Sequence, residues 1–173
     1  ESVFQILAQN KQGMQALKRS VKKAVEKIAS DAPTAQPTSD IITLYVQAAG
    51  SKKEFEEALR ALAKAAGLDP SSAAVLSIPG LLKSSGRVLE KAHLKYKGNI
   101  AKVLDLVRGM VVVTDMAEAA RLLDCLCLLP GVSIVRIKDR VSFASNGGWR
   151  DIMVNIMVNN HICEIQIVFG IML

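Results

Sequence analysis

Cysteine is scarce in this chain of 173 residues, which contains three: Cys125, Cys127 and Cys163. An odd number without regular spacing does not form a disulfide framework. Cys125 and Cys127 are separated by one residue in a stretch of helical periodicity, so their side chains point in different directions and are poorly placed to share a metal. We interpret all three as free, buried thiols in a reducing compartment.

Long apolar runs are also missing. No run approaches the roughly 18 residues that a membrane-spanning helix needs, and the first residues lack the pattern of a secretory signal. We therefore expect a cytoplasmic protein without a membrane partner. The chain starts without Met and stops in the middle of an apolar pattern at Ile171-Met172-Leu173, so we expect it to be a fragment of a longer protein.

Several motifs of common catalytic sites do not occur. The sequence has no Walker A spacing and no Gly-x-Gly-x-x-Gly, which argues against a P-loop or a dinucleotide fingerprint. It has no Gly-x-Ser-x-Gly elbow, and its two histidines, His93 and His161, lack metal-ligand spacing. We expect His93 on a helix surface and His161 at the end of a hairpin.

The composition is that of a globular protein, because half of the residues are apolar and 22% are charged. The length is sufficient for one ordinary domain and a helical appendage. A net charge of +6 slightly favours polyanionic partners such as nucleotides or RNA, although proteins that bind neither often carry a similar excess.

The first half of the chain shows helical periodicity. Helices are predicted at about 2–29, 39–49 and 51–66, with a Pro- and Ser-containing connector at 30–39. The first of these helices is basic and amphipathic, which fits either packing against a neighbour or binding to a membrane surface or nucleic acid. Ser39 or Asp40 is expected to cap the second helix. Ser51 followed by Glu54 is the capping-box pattern that would start the third, and Gly67 would end it.

The second half mixes helical and strand patterns. Helices are predicted at about 82–96, 99–106 and 115–129, and strands at 110–114 and 132–137. This order predicts a crossover connection in a mixed β-sheet that is flanked by helices, which is an α/β (α+β) fold. Four cations, Lys83, Arg87, Lys91 and Lys95, recur at steps of four on the first of these helices. Like charges at this spacing repel one another, so they form either a solvated face or a site for an anion.

The last strongly patterned stretch predicts an antiparallel hairpin. Asn159 and Asn160 tolerate the positive φ angles of a two-residue turn, and this turn pairs Val158 with His161 and Asn155 with Glu164. One face of the hairpin is then continuously apolar and belongs to the core. The other face carries Asp151, Met153, Asn155, Glu164 and Gln166, and is either solvent-exposed surface or the floor of a site.

Five short motifs in the second half occur in an order that resembles the synthetase domain of the RelA/SpoT family, the alarmone synthetases. Their residues are Lys83-Ser84 with Lys91 (family Arg-x-Lys-Ser…Lys), Asp105 (Asp-x-x-Gly-x-Arg), Lys138-Asp139 (Lys-Asp-Tyr), Gly148-Trp149-Arg150 (Gly-Tyr-Arg) and Glu164-Ile165-Gln166-Ile167 (Glu-Ile-Gln-Ile-Arg-Thr). The resemblance covers about residues 81–167. It implies a nucleotidyltransferase-like domain at 77–173, possible truncation at its C-terminus, and an N-terminal helical region at 1–76.

The resemblance also implies a chemistry. Asp105 and Glu164 would be the catalytic residues and would hold Mg²⁺, a hard cation that binds carboxylate and phosphate oxygens together. Pyrophosphate would pass from ATP to the 3′-hydroxyl of GDP or GTP, and a tRNA end is a further candidate acceptor. The expected nucleotide- and phosphate-binding residues are Lys83, Arg87, Lys91, Arg108, Lys138, Trp149, Arg150 and Gln166. Trp149 would stack on a base; without the resemblance, a buried lone Trp is an equal interpretation.

The departures from the family pattern weaken the expected binding of the donor nucleotide, ATP. Leu81 and Met110 stand where the family has the two arginines associated with the donor's adenine, and Arg108 stands at the position of the motif's Gly. Two further interpretations therefore stay open. One is a catalytically degenerate module that binds a nucleotide or a protein, and the other is a helical adaptor built on the first 80 residues. The oligomeric state does not follow from the sequence.

Overall fold

A five-stranded mixed sheet organises the part of the chain that the computed structural model describes, residues 10–145 and 147–173. The helices are α1 (Lys11–Glu26), α2 (Ile41–Ala65), α3 (Ser85–Tyr96) and α4 (Met116–Leu126), and the strands are β1 (Leu76–Ser77), β2 (Arg108–Val113), β3 (Ser133–Asp139), β4 (Ile152–Val158) and β5 (His161–Phe169). The strand order is β1-β2-β5-β4-β3. Only β2 and β5 pair in parallel among these strands. The predicted α+β class with a mixed sheet is confirmed.

The β4–β5 hairpin has the predicted register. Asn155 lies opposite Glu164 and Val158 lies opposite His161. Asn159 and Asn160 have φ angles of 46° and 58°, which are the values a two-residue turn requires. The β2–α4–β3 crossover skips two positions in the sheet, and the hairpin fills them.

The apolar face of the sheet is covered by helices. Side chains of β4 and β5 such as Val154, Ile156 and Ile165 are buried there. Helix α2 packs against β2 at Gly109, where an added Cβ would clash with Leu59 Cδ2. A larger residue at this position would require the Leu59 side chain to move, so Gly109 favours the close packing of α2 on β2.

Helix α2 is continuous, and the prediction of two helices separated near residue 50 is wrong. Ser51 does not cap a new helix: it is buried inside α2, and its hydroxyl donates to the carbonyl of Gln47 at 2.9 Å. The helix continues because its buried positions form one unbroken stripe, which local capping signals cannot outweigh. Both outer ends are as predicted, with Asp40 accepting from the Thr43 N–H and Gly67 at φ 77°.

Three other boundaries differ from prediction. Helix α3 begins at Ser85, so Lys83 precedes the helix and does not belong to its cationic row. The predicted helix at 99–106 is reduced to a 3₁₀ turn at Ile100–Lys102, which leaves Asp105 in irregular chain ahead of β2. The short strand β1 lies in a stretch that was predicted as loop. The first helix is predicted from about residue 2, and its positions up to residue 9 lie outside the described residues.

The N-terminal helices share the core of the sheet. Leu17 of α1 and Phe55 of α2 are buried in the same cluster as the strand residues. In the connector between these helices, the Gln36 side chain pairs with both backbone groups of Ile162, donating to its carbonyl and accepting from its N–H at 2.9 Å each. No helix within the described ranges has the length and apolar character needed to cross a bilayer.

Candidate active site

The second face of the sheet carries a row of polar side chains across four strands. In order they are Arg136 on β3, Asn155 on β4, Glu164 on β5 and Arg108 on β2. Asn155 is 0% exposed and Glu164 is 5% exposed. The interpretation of this face as plain solvent-exposed surface is therefore wrong at its centre.

Asp105 reaches the same place from the segment that precedes β2. Its Oδ2 lies 2.6 Å from Lys83 Nζ and 2.9 Å from Lys91 Nζ. Burial alone would raise the pKa of Asp105, but the hydrogen bonds and charges of the two lysines outweigh it and hold the pKa below its ordinary value. Asp105 is thus a permanent anion at neutral pH.

Glu164 is the neighbouring carboxylate. Its backbone N–H donates to the carbonyl of Val107 at 2.9 Å, which ties β5 to the chain just after Asp105. Burial raises the pKa of Glu164, and the negative charge of Asp105 raises it further, against the opposing charges of nearby cations. The Gln166 amide donates to Glu164 Oε1 at 3.3 Å.

A cleft of about 480 Å³ opens beside Asp105 along α3. Its cationic lining residues are Lys83, Arg87, Lys91, Lys95 and Arg108. Lys83 and Lys91 bind Asp105, whereas Arg87 pairs with Glu90 in solvent at 2.8 Å. Five cations and one carboxylate, Glu90, line the cleft, so the lining carries a net positive charge, as an anion site requires.

Cations of β3 border the carboxylates from the opposite side. Arg136 Nε donates to Asn155 Oδ1 at 2.9 Å. Burial lowers the pKa of Lys138, and the charges of Arg136 and Arg140 lower it further. Lys138 was expected at the site, but Arg136 was not; the alternation of cations at 136, 138 and 140 was the signal for it, because alternate residues of a strand share a face. Asp139 instead accepts from loop N–H groups at the end of β3.

Trp149 and Arg150 lie further along this face, in the loop between β3 and β4. Trp149 is 38% exposed, and its indole N–H donates to Asp151 Oδ2 at 3.1 Å. The Arg150 guanidinium donates to the carbonyl of Val141. Of the expected site residues, the structure thus gathers Lys83, Lys91, Asp105, Lys138, Glu164 and Gln166 closely, and sets Trp149 and Arg150 apart in the loop.

The two carboxylates are the groups that could hold a divalent cation. In the described ranges, no group of three or more His, Cys, Asp or Glu side chains is arranged so that it could hold a metal ion. Asp105 Oδ1 is buried and, within those ranges, has no hydrogen-bond partner. A free carboxylate oxygen beside a second carboxylate fits Mg²⁺, which commonly takes one or two protein carboxylates and completes its shell with water and substrate phosphates.

The two positions that depart from the family pattern are both apolar in the structure. Leu81 is 85% exposed and precedes the cationic cleft. Met110 lies on the site face of β2, opposite Gln166 of β5. Neither side chain carries a charge, whereas the resemblance implies an arginine at each position.

Solved structures with a similar fold include alarmone synthetases and related proteins. A GTP pyrophosphokinase family protein from Streptococcus pneumoniae aligns over 76% of this chain and 70% of its own, with a TM-score of 0.59 and 17% identity. The small alarmone synthetase 1 of Bacillus subtilis, bound to its product pppGpp, aligns over 72% and 70%, with a TM-score of 0.57 and 15% identity. A Type VI effector in complex with its immunity protein aligns over 78% and 63%, with a TM-score of 0.51 and 20% identity.

The sequence itself gives no such match. No family model matches it, and no curated protein matches it. At identities of 20% or less, the structural likeness establishes the fold. The chain has the RelA/SpoT-like alarmone synthetase fold, as the order of its motifs predicted.

Proposed function

We propose that this domain is a Mg²⁺-dependent pyrophosphokinase, which transfers pyrophosphate from ATP to the 3′-hydroxyl of a nucleotide. The observation that carries the proposal is the pair of buried carboxylates, Asp105 and Glu164, between two sets of cations. Burying two like charges side by side is unfavourable, and a site that binds a metal and phosphates gives them a function. The likeness to a synthetase bound to pppGpp supports the same chemistry.

The cations would serve the phosphates. Lys83, Arg87, Lys91 and Arg108 face the cleft along α3 and would neutralise the donor triphosphate. Lys138 and Arg136 approach from β3 and would bind the transferring group from the other side. Phosphoryl transfer depends mainly on positioning and on charge stabilisation of this kind.

The reaction forms one bond and breaks one. The acceptor 3′-oxygen attacks the β-phosphorus of ATP, the bond between the α- and β-phosphates breaks, and AMP leaves with that bond's electron pair. Mg²⁺ bound at Asp105 and Glu164 would supply charge neutralisation for the phosphates. Glu164 is our candidate acceptor for the hydroxyl proton, because its carboxylate is buried at the same site.

The acceptor we propose is GDP or GTP, with the 3′ end of a tRNA as the alternative within the same chemistry. The test incubates the protein with Mg²⁺ and γ-labelled ATP together with GDP, GTP or tRNA, and follows label transfer by chromatography. Glu164→Gln and Asp105→Asn should each reduce kcat by at least about 100-fold, the loss expected on removing an electrostatic group at the reacting centre. Glu57→Gln is the matched control, because Glu57 is solvent-exposed.

Two results would contradict this proposal. Transfer that persists in Glu164→Gln would remove Glu164 from the chemistry. Absence of transfer to every acceptor, with protein that is folded by circular dichroism, would refute the pyrophosphokinase activity itself.

A second candidate function is a nucleotide-binding module without turnover. The apolar residues Leu81 and Met110 at the expected donor end favour it, because stacking and charge for the adenine are missing there. Equilibrium dialysis with labelled GTP and ATP distinguishes the two. The module predicts binding of a nucleotide with no product, and binding that survives Glu164→Gln.

A further inference from the structure

Helix α1 carries a dense set of cations on the side that faces solvent. The segment from Asn10 to Ile28 contains six of the chain's 22 Lys and Arg residues and one of its 16 Asp and Glu residues. It therefore holds a net charge of +5, almost the whole net charge of +6 of the chain. All six cations are exposed. These α1 cations are Lys11, Lys18, Arg19, Lys22, Lys23 and Lys27.

Carboxylates neutralise this set only in part. Within the described ranges, two of the six side chains form an ion pair: Lys22 lies 3.9 Å from Glu26, and Lys23 lies 3.2 Å from Asp124 of α4. The first turn of α1 contains no acidic residue. Several of the cations are four residues apart, a spacing at which like charges on a helix repel one another. An anionic partner would remove this repulsion.

A shallow groove of about 430 Å³ between α1 and α4 adds a cation from the second helix. Its small lining residues are Ala16, Ser20, Ala117 and Ala120. Arg19, Lys23 and Arg121 also line it, together with one carboxylate, Asp124, which pairs with Lys23. Arg121 lies 3.7 Å from Glu118 of its own helix and is still exposed. Small side chains leave room for a narrow phosphodiester backbone, and the arginine forks match phosphate oxygens.

The composition of this surface favours a nucleic acid over a protein or a membrane. Protein interfaces are depleted in Lys and enriched in aromatic residues, whereas five of the six α1 cations are Lys, and neither α1 nor α4 contains an aromatic residue. Apolar residues of α1 such as Leu17 and Ala24 are buried in the core, so this helix cannot insert them into a bilayer as interfacial helices do.

The same composition favours a duplex over a single strand. Single strands bind largely by stacking their bases on aromatic rings, which this surface lacks. A duplex presents its phosphates outward and needs only cations to hold them. From Lys11 to Lys27 the α1 cations extend over about 24 Å, because an α-helix rises 1.5 Å per residue. A duplex presents about seven phosphates on each strand over that length, which is close to the number of cations available.

We propose that the α1 cations and Arg121 form a binding surface for the phosphate backbone of a double-stranded nucleic acid. The contacts are to phosphates, so they carry no sequence information. The surface lies on the helix-covered side of the sheet, away from Asp105 and Glu164, because α1 packs into the core formed by the apolar sheet face. The inference is therefore independent of the proposed pyrophosphokinase activity and extends beyond it.

Fluorescence anisotropy with a labelled RNA duplex, a DNA duplex of the same sequence and a single RNA strand tests the proposal. Wild-type affinity for a duplex should fall about 1,000-fold between about 50 and 200 mM NaCl, as expected for about six phosphate contacts. A triple variant, Lys18→Gln with Arg19→Gln and Lys22→Gln, should bind more weakly. Its affinity should fall only about 40-fold over the same range, because about three contacts remain.

A matched triple variant controls for net charge. Lys53→Gln with Lys64→Gln and Lys102→Gln removes the same charge from exposed positions outside α1 and α4, and should keep the wild-type salt dependence. Saturating Mg²⁺ and ATP should leave the duplex bound, because the carboxylates lie on the other side of the sheet. Equal affinity for both duplexes would support recognition of phosphates alone, and tighter binding of the RNA duplex would support the surface and identify RNA as its partner.

Four outcomes would overturn the inference. The first is that neither duplex binds at about 50 mM NaCl, where contacts of this kind are strongest, whether or not vesicles of phosphatidylcholine and phosphatidylserine bind. The second is tighter binding of the single strand than of either duplex. The third is an equal loss in both triple variants, which would mean that net charge alone attracts the duplex. The fourth is displacement by Mg²⁺ and ATP, which would place the duplex in the cationic cleft along α3 instead.

Discussion

The stability of this fold should depend steeply on pH through one buried histidine. His161 is 0% exposed at the start of β5, where the Gln36 amide nitrogen lies 3.4 Å from its Nε2. Its Nδ1 is buried without a hydrogen-bond partner in the described ranges. Burial lowers the pKa of His161 from 6.5 to about 4, because the charged imidazolium would lose its hydration there.

The sign and size of the pH effect on stability follow from the difference between the pKa of His161 in the folded chain and its ordinary value. Between about pH 4 and 6.5 the unfolded chain binds a proton that folded His161 does not, so the free energy of unfolding falls as the pH falls. At pH 5 the loss relative to pH 7.5 should be about 2 kcal/mol, and below pH 4 it should approach about 3 kcal/mol. Glu164 acts in the opposite direction, because its pKa is raised.

Urea denaturation at pH 7.5, 6, 5 and 4.5 measures this dependence. Gln at position 161 keeps a hydrogen-bonding side chain but does not titrate. Glu164 is present in both proteins, so its contribution cancels when the free energy of unfolding of His161→Gln is subtracted from that of wild type at each pH. That difference should change by about 2 kcal/mol between pH 7.5 and 5. The other histidine, His93, is exposed, and His93→Gln should retain the wild-type pH dependence. A His161→Gln variant with the same pH dependence as wild type would refute the assignment.

Two further predictions concern how the helices meet the sheet. Gly109→Ala should lower the free energy of unfolding by about 1–3 kcal/mol, because the new Cβ would collide with Leu59. Gly50→Ala is the control, because Gly50 lies in a helix with open space around it, and it should raise the free energy of unfolding by about 1 kcal/mol. If urea denaturation gave the same change for both variants, the packing argument would be contradicted. A chain that starts at Ser77 lacks α1 and α2 and should show no cooperative thermal transition by circular dichroism, because the apolar sheet face loses its cover; a sharp transition would favour an independent N-terminal adaptor.

The hairpin could be predicted from sequence because its signals are local. Asn159-Asn160 specifies a tight turn, and strict alternation on both sides leaves one register that buries a whole apolar face. Helix α2 could not be predicted as one piece, since Ser51 and Glu54 carry a local start signal that a continuous buried stripe overrides. Strand β1 has two residues, and its existence depends on pairing with β2 rather than on its own pattern.

For the site, too, local sequence signals could be predicted, whereas contacts that form only in the fold could not. The motif order indicated Asp105 and Glu164, which the chain brings together from residues 59 apart in sequence. The position of Lys83 ahead of α3 was not predictable, because its contact with Asp105 forms only in the fold. The pairing of Arg140 with Asp151 was missed for the same reason: it depends on the path of the loop between them.

The pKa values of Asp105 and Glu164 are shifted in opposite directions, which is the observation that relates most directly to function. Asp105 has a lowered pKa because Lys83 and Lys91 outweigh its burial, whereas Glu164 has a raised pKa because of burial and the neighbouring Asp105 charge. Environments that separate the pKa values of two neighbouring acids assign them different tasks. Under the proposed function, Asp105 would remain an anion that holds the cation through Oδ1, which has no hydrogen-bond partner in the described ranges. Glu164, the second proposed metal ligand, would also take up the hydroxyl proton. A sheet face that served only for packing would not require either carboxylate, since apolar residues would fill the same space at no cost in desolvation.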